Sequence, residues 1–179
     1  MIFSKADLPG VFVIEPERRE DERGFFARIW CGRELEEQGL EGRIAQVNVQ
    51  FSPLARTLRG MHYQLAPNAE VKIVRCNRGR IFDVAVDLRP GSTTYLRWFG
   101  VDLSGGDGRM LYVPKGCAHG YLTLEPDTEV IYFTSEFYAP QSARGVCYDD
   151  ASVRIDWPVK PVLVSTADRA WPILQETDT

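Results

Sequence analysis

The chain has 179 residues, 44% of them hydrophobic and 26% charged, with a formal net charge of −4. That length suffices for one domain with a real core, and the acidic balance argues against a nucleic-acid surface, which needs a basic excess. The opening stretch MIFSKADLPG is interrupted by Lys5 and Asp7, so neither a signal peptide nor a membrane span is expected.

Short β-branched and aromatic runs, punctuated by Gly, Pro, Asp and Asn, predict strands along most of the chain. In order they are Val11–Glu15, Gly24–Trp30, Ile44–Phe51, Thr57–Gln64, Lys72–Cys76, Arg80–Asp87, Tyr95–Leu103, Arg109–Val113, Gly120–Thr123 and Glu129–Ser135. Within RIFDVAVDL, Ile81, Asp83, Ala85 and Asp87 alternate with Phe82, Val84, Val86 and Leu88, the period of a strand. CGRELEEQG predicts a helix over Cys31–Gly39 with Gly39 as its stop, and a last helical turn is expected near Asp168–Ala170. Glycine-bearing turns fall at LRPGS and LSGGDG. The expectation is a single all-β domain over 1–179, an antiparallel double-sheet jelly roll (cupin-like) with few short helices.

Cys31, Cys76, Cys117 and Cys147 form no C-x-x-C pair, so no zinc or redox motif is written here. Idle thiols in a reducing compartment follow, and the cytoplasm is expected.

Two histidines make up the whole complement. His62 lies in LRGMHYQL, where alternation puts Leu58, Gly60, His62 and Gln64 on one face and Arg59, Met61 and Tyr63 on the other. A bulge at Gly60 would bring Arg59 and His62 together. On these residues alone, His62 reads equally as a histidine satisfied inside a sheet. His119 lies in YVPKGCAHGY, where a turn precedes a new strand. That resembles the second motif of the cupin superfamily, yet the first motif's paired histidines are missing, so no metal is expected.

Taken together, DERGFF, Gln46-Val-Asn48, LRGMHYQ, VKIVRC, GRIFDVAVDLR, VPKGCAHGY, EVIYFTSEFYAP and IDWP occur in this order. The set resembles the dTDP-4-dehydrorhamnose 3,5-epimerase family over nearly the whole chain, from about Asp7 to Trp171. The resemblance implies a cofactor-independent 3,5-epimerisation of a nucleotide-linked 4-keto-6-deoxyhexose. Its C4 ketone acidifies the hydrogens on C3 and C5, so a base, a charge stabiliser and an acid suffice. Position by position, His62 matches the general base, Asp168 its orienting carboxylate, Lys72 the enolate stabiliser and Tyr132 the general acid. Arg59, His119, Arg23, Gln46 and Asn48 match substrate contacts. The family's homodimer, in which an N-terminal strand crosses to the neighbour, would place Arg23 at the partner's site. The implied partners are the nucleotide-diphosphate 4-keto-6-deoxysugar and a second copy, with no nucleic acid and no membrane.

Arg28, Ala143 and Ala167 depart from the family's pattern, all on the nucleotide side, so the carbon-acid chemistry is kept while the nucleotide stays open. Three further readings stand beside the main one. They are an epimerase acting at C3 alone, a 3,4-ketoisomerase on the same substrates, and a non-catalytic sugar-nucleotide-binding jelly roll.

Overall fold

Period-2 runs become strands when both flanks can turn, and here they do so in almost unbroken succession. The computed structural model describes residues 1–174; residues 175–179 of the expected unit lie outside the described residues. In chain order the strands are β1 (Ile2–Lys5), β2 (Phe12–Glu15), β3 (Arg18–Asp21), β4 (Gly24–Ala27), β5 (Gln46–Ser52), β6 (Thr57–Gln64) and β7 (Lys72–Arg78). They continue with β8 (Arg80–Asp87), β9 (Trp98–Ser104), β10 (Met110–Val113), β11 (Cys117–Thr123), β12 (Thr128–Thr134), β13 (Ala143–Gly145) and β14 (Leu163–Val164). Two short helices accompany them, α1 (Gly32–Glu37) and α2 (Thr166–Arg169).

One sheet runs β1-β2-β10-β7-β12-β5 and the other β13-β6-β11-β8-β9, with β3-β4 a separate ribbon. The pairings are antiparallel except for β14, which lies parallel to β6. This is the expected jelly roll. Its core forms where the inner faces meet: Val74, Cys76, Leu111 and Val130 of one sheet pack with Ile81, Ala85, Leu103 and Tyr121 of the other. Each large apolar side chain so buried contributes roughly 1.5–3 kcal/mol.

The two outer faces are treated differently. Behind the second sheet, Met61, Val84, Val86 and Ala118 are covered by Val146, Val153 and Trp157 of the returning chain. Behind the first, Leu35 of α1 covers Ile73, Met110 and Tyr112. That helix is capped by Cys31 without a side-chain bond and ends where Gly39 takes φ +71°. Its shelter does not extend to the edge strand β5, where Val47, Val49 and Phe51 are 56%, 62% and 51% exposed.

Several boundaries differ from the sequence pattern for physical reasons. The strand expected from Tyr95 begins at Trp98, because Leu96 turns the chain at φ +65°. The strand expected over Gly24–Trp30 stops at Ala27. β3 was not anticipated: Arg18–Asp21 is charged throughout and exposed on both sides, so no alternation marks it.

The detail that shapes the site lies in β6. His62 pairs with His119, but Arg59 pairs with Tyr121, so β6 spends three steps where β11 spends two. The extra residue falls at Gly60, which adopts φ +138°. A Cβ there would stand 2.5 Å from the Gly120 Cα, so only glycine allows the two backbones this approach. The slip overturns the simple alternation. Leu58 turns outward to Leu122 and Val164, and Arg59 joins His62 and His119 in lining one cavity.

Candidate active site

Between the inner faces of the two sheets opens a cleft of about 510 Å³, within the range of small-molecule sites. β5 contributes Gln46 and Asn48, β7 Lys72, β12 Tyr132 and β6 His62, while the chain near its end adds Asp168 and Trp171. A smaller, deeper recess continues to Gln50, Arg59, His119 and Tyr121.

His62 is joined to Asp168 by a 2.6 Å contact between Nε2 and Oδ1. β14 docks on β6 in parallel, which sets α2 beside the histidine. Ser165 caps that turn by accepting the Asp168 N–H at 3.0 Å, and the Gly60 N–H approaches Oδ2 at 3.4 Å. Burial pushes the Asp168 carboxyl up, but the bonds from His62, Gly60 and Ser165 outweigh it and hold the group below its ordinary value. An ionised carboxylate only accepts, so Nε2 carries the ring proton and Nδ1 keeps the basic lone pair. The side chains are 43% and 10% exposed respectively. The imidazole is open to the cleft and its carboxylate is sheltered.

A second dyad lies deeper. His119 Nε2 meets Asp83 Oδ1 at 2.7 Å. Asp83 is fully enclosed, its Oδ2 has no partner, and burial pushes its carboxyl up against the pull of His119. The Lys72 ammonium is bonded to the Glu70 carboxylate. The Tyr132 phenol is pushed up, first by burial and then by the negative charge of Glu70, with Arg59 opposing. Arg59 donates to Ser52 Oγ at 3.2 Å and to the Phe51 carbonyl at 3.0 Å. Gln46 accepts the Tyr138 N–H at 2.6 Å.

Eight of the nine residues singled out in the sequence therefore gather around this cleft and its recess: His62, Asp168, Tyr132, Lys72, Gln46, Asn48, Arg59 and His119. Arg23 does not. It lies in the turn between β3 and β4, 83% exposed and bonded to Asp21. Ala143 and Ala167 line the cleft beside Arg144, whereas Arg28 is bonded to Glu34 outside it. Sequence reasoning missed Asp83, Glu70 and Trp171. The first two carried a signal, for Glu70 precedes Lys72 by two and Asp83 stands on an apolar strand face. Trp171 carried none; its indole lies against Gly145, where a Cβ would come within 2.2 Å of the ring. The thiols of Cys76 and Cys117 are pushed up to about 11 and about 12 by burial, so they stay protonated and inert.

A jelly roll whose cleft holds an open imidazole, a sheltered carboxylate, a lysine and a phenol has the groups that acid–base chemistry at carbon requires. Comparison with known proteins narrows that class. The sequence profile described as dTDP-4-dehydrorhamnose 3,5-epimerase matches residues 5–176, and the chain belongs to that family. A dTDP-4-dehydrorhamnose 3,5-epimerase of Shigella flexneri is 42% identical over 165 residues, 92% of this chain and 91% of that one. The Legionella pneumophila dTDP-6-deoxy-D-glucose-3,5-epimerase, solved in complex with dTDP-4-keto-L-rhamnose, is 37% identical with a TM-score of 0.89, covering 95% of this chain and 90% of its own. A 3'-monoepimerase from Streptomyces bikiniensis, solved in complex with dTDP-quinovose, is 32% identical with a TM-score of 0.86, covering 94% and 86%.

Proposed function

We propose that the protein epimerises C3 and C5 of a dTDP-linked 4-keto-6-deoxyhexose. The observation that carries this is the 2.6 Å His62–Asp168 dyad opening onto a cleft that also holds Lys72 and Tyr132. His62 Nδ1 removes the proton α to the ketone, and the C–H electron pair moves into an enolate whose charge rests on the C4 oxygen. Asp168 stabilises the imidazolium so formed. Lys72 donates to the enolate oxygen. Tyr132 returns a proton to the opposite face of the carbon, after which the imidazolium releases its proton to solvent and the phenolate recovers one from solvent. One such cycle at each carbon inverts both centres and leaves the ketone at C4. No cofactor takes part, because the ketone supplies the electron sink.

Arg59, His119, Gln46 and Asn48 bind the sugar nucleotide. Arg23 serves the partner's cleft in a homodimer. Support for that assembly comes from the bare apolar face of β5 and from Phe25 and Phe26, 56% and 63% exposed on the ribbon that carries Arg23. No described helix is long and apolar enough to cross a membrane, and the cytoplasm is the proposed compartment. The likeness to a 3'-monoepimerase favours a second reading, inversion at C3 alone. Incubation with a dTDP-4-keto-6-deoxyhexose in D2O, followed by NMR at both carbons, separates the two. Deuterium at C3 and C5 supports the first reading, deuterium at C3 alone the second, and none at either refutes both.

A further inference from the structure

Glu70 has no place in the chemistry described above, yet it occupies the cleft. Its carboxylate and the Lys72 ammonium are each 10% exposed, so this is not a loose surface pair of the kind that contributes little. A lone ammonium is costly to bury, and a close carboxylate offsets the cost. The other carboxylate oxygen accepts from Gln64 Nε2 at 3.2 Å. The two hydrogens of that amide nitrogen are shared with the Asn68 and Phe137 carbonyls at 2.9 and 3.1 Å, while the amide oxygen takes the Ala139 N–H at 2.7 Å. Gln64 is 4% exposed and stands two residues from His62 along β6. A bonded chain thus runs from the strand that carries the base, through Gln64 and Glu70, to the lysine on β7.

We propose that Glu70 is a positioning residue for the reaction: it holds the Lys72 ammonium in register with His62 and Tyr132 and leaves two of its N–H donors for the enolate oxygen. The inference rests on the epimerase reading above. An ammonium has three donors, and Glu70 occupies one. A freely rotating lysine would have to be ordered at the moment charge develops; a clamped one is already in place, and that preorganisation is where such a donor acts on rate. Glu70 also sets part of the field at Tyr132. The charged or titratable groups lining the cleft and recess with that phenol are Glu70 and Lys72 from the β7 side, Arg59, His62 and Tyr63 from β6, His119 and Tyr121 from β11, Tyr138 and Arg144 from the chain after β12, and Asp168 of α2; β5 presents only the amides of Gln46, Asn48 and Gln50.

The test uses the full chain with a dTDP-4-keto-6-deoxyhexose in D2O, measuring kcat, KM and the pH profile for Glu70→Ala, Glu70→Gln, Lys72→Ala and the double alanine variant. Glu70→Ala should lower kcat by roughly 10²-fold with KM nearly unchanged, the size expected when a reacting group is misplaced by about 1 Å. Glu70→Gln keeps an acceptor for Lys72 but not the charge. It should recover most of the rate at neutral pH while the alkaline limb of the profile moves to lower pH. In the Lys72→Ala background, Glu70→Ala should cost nothing further, because a residue acting through lysine has nothing left to position. Three results overturn the proposal: kcat of Glu70→Ala within about threefold of wild type, additive losses in the double variant, or an alkaline limb unmoved in Glu70→Gln. A wild-type protein that takes up no deuterium overturns the epimerase reading itself and the role of Glu70 with it.

Discussion

Replacing Asp168 by asparagine removes a charge from the dyad and almost nothing else. The 2.6 Å bond to His62 Nε2 is charge-assisted, and a hydrogen bond to an ionised group contributes about 1.5–3 kcal/mol, which corresponds to roughly 10- to 100-fold in rate when it strengthens as the imidazolium forms. A second loss adds to this. An amide can turn its NH2 toward Nε2, which stabilises the tautomer with the proton on Nδ1 and blocks the base. The expected fall in kcat is therefore roughly 10²- to 10⁴-fold with KM little altered, read as deuterium uptake at C3 and C5 in D2O. Stability should follow with a defined sign. The folded-state carboxyl sits below its ordinary value, so its contribution is complete above about pH 4, the unfolded value, and is lost as pH falls through the lower folded one. The Tm gap between wild type and variant is thus widest near neutrality and closes in acid. Exchange by Asp168→Asn within about threefold of wild type would refute the assignment of Asp168 as the partner that makes His62 a base.

Tyr132→Phe should slow net inversion far more than proton abstraction, so deuterium uptake with retained configuration outlasts product formation when both are followed by NMR. Gly60→Ala should destabilise the fold by more than about 3 kcal/mol, measured by urea unfolding, because the new Cβ meets backbone 2.5 Å away; a near-neutral effect would refute the bulge. His119→Phe should cost about 3 kcal/mol by leaving Asp83 buried without its partner, and adding Asp83→Asn should restore part of that in the same unfolding assay.

The sheets were legible because their inner strands alternate cleanly; RIFDVAVDL and EVIYFTSE place Ile81, Ala85 and Val130 on the core face as the pattern requires. What escaped was structure whose cause is tertiary. β1, β13 and β14 are two to four residues long, too short for a period to appear, and they exist because an existing strand offers them an edge. β3 is charged throughout and has no apolar face to read, whereas its partner β4 was expected within Gly24–Trp30. His62, Lys72 and Tyr132 were found through their motifs, and Arg59 could be joined to His62 only by supposing the slip at Gly60 that the register contains. Their carboxylate partners were harder. Asp168 lies over a hundred residues from His62 and came from resemblance, while Asp83 and Glu70 were visible as residues and unread as partners.

The pattern of pairing within the cleft separates two kinds of basic side chain. His62 is answered by Asp168, His119 by Asp83 and Lys72 by Glu70. Arg59 and Arg144 are answered by neutral oxygens alone, Arg59 by Ser52 and Phe51 and Arg144 by the Gln141 and Ala143 carbonyls; no described carboxylate makes an ion pair with either. Lys72 with its full counter-charge, and two histidines each tied to a carboxylate, present no unpaired positive charge to draw the diphosphate into the place where carbon reacts in the proposed cycle. Guanidiniums without a counter-charge suit the diphosphate itself, whose oxygens match their fork of donors. On the proposed function, such an arrangement would orient the substrate by charge, the anionic linker drawn to Arg59 and Arg144 and the ketone left to the paired groups that share the recess with Arg59.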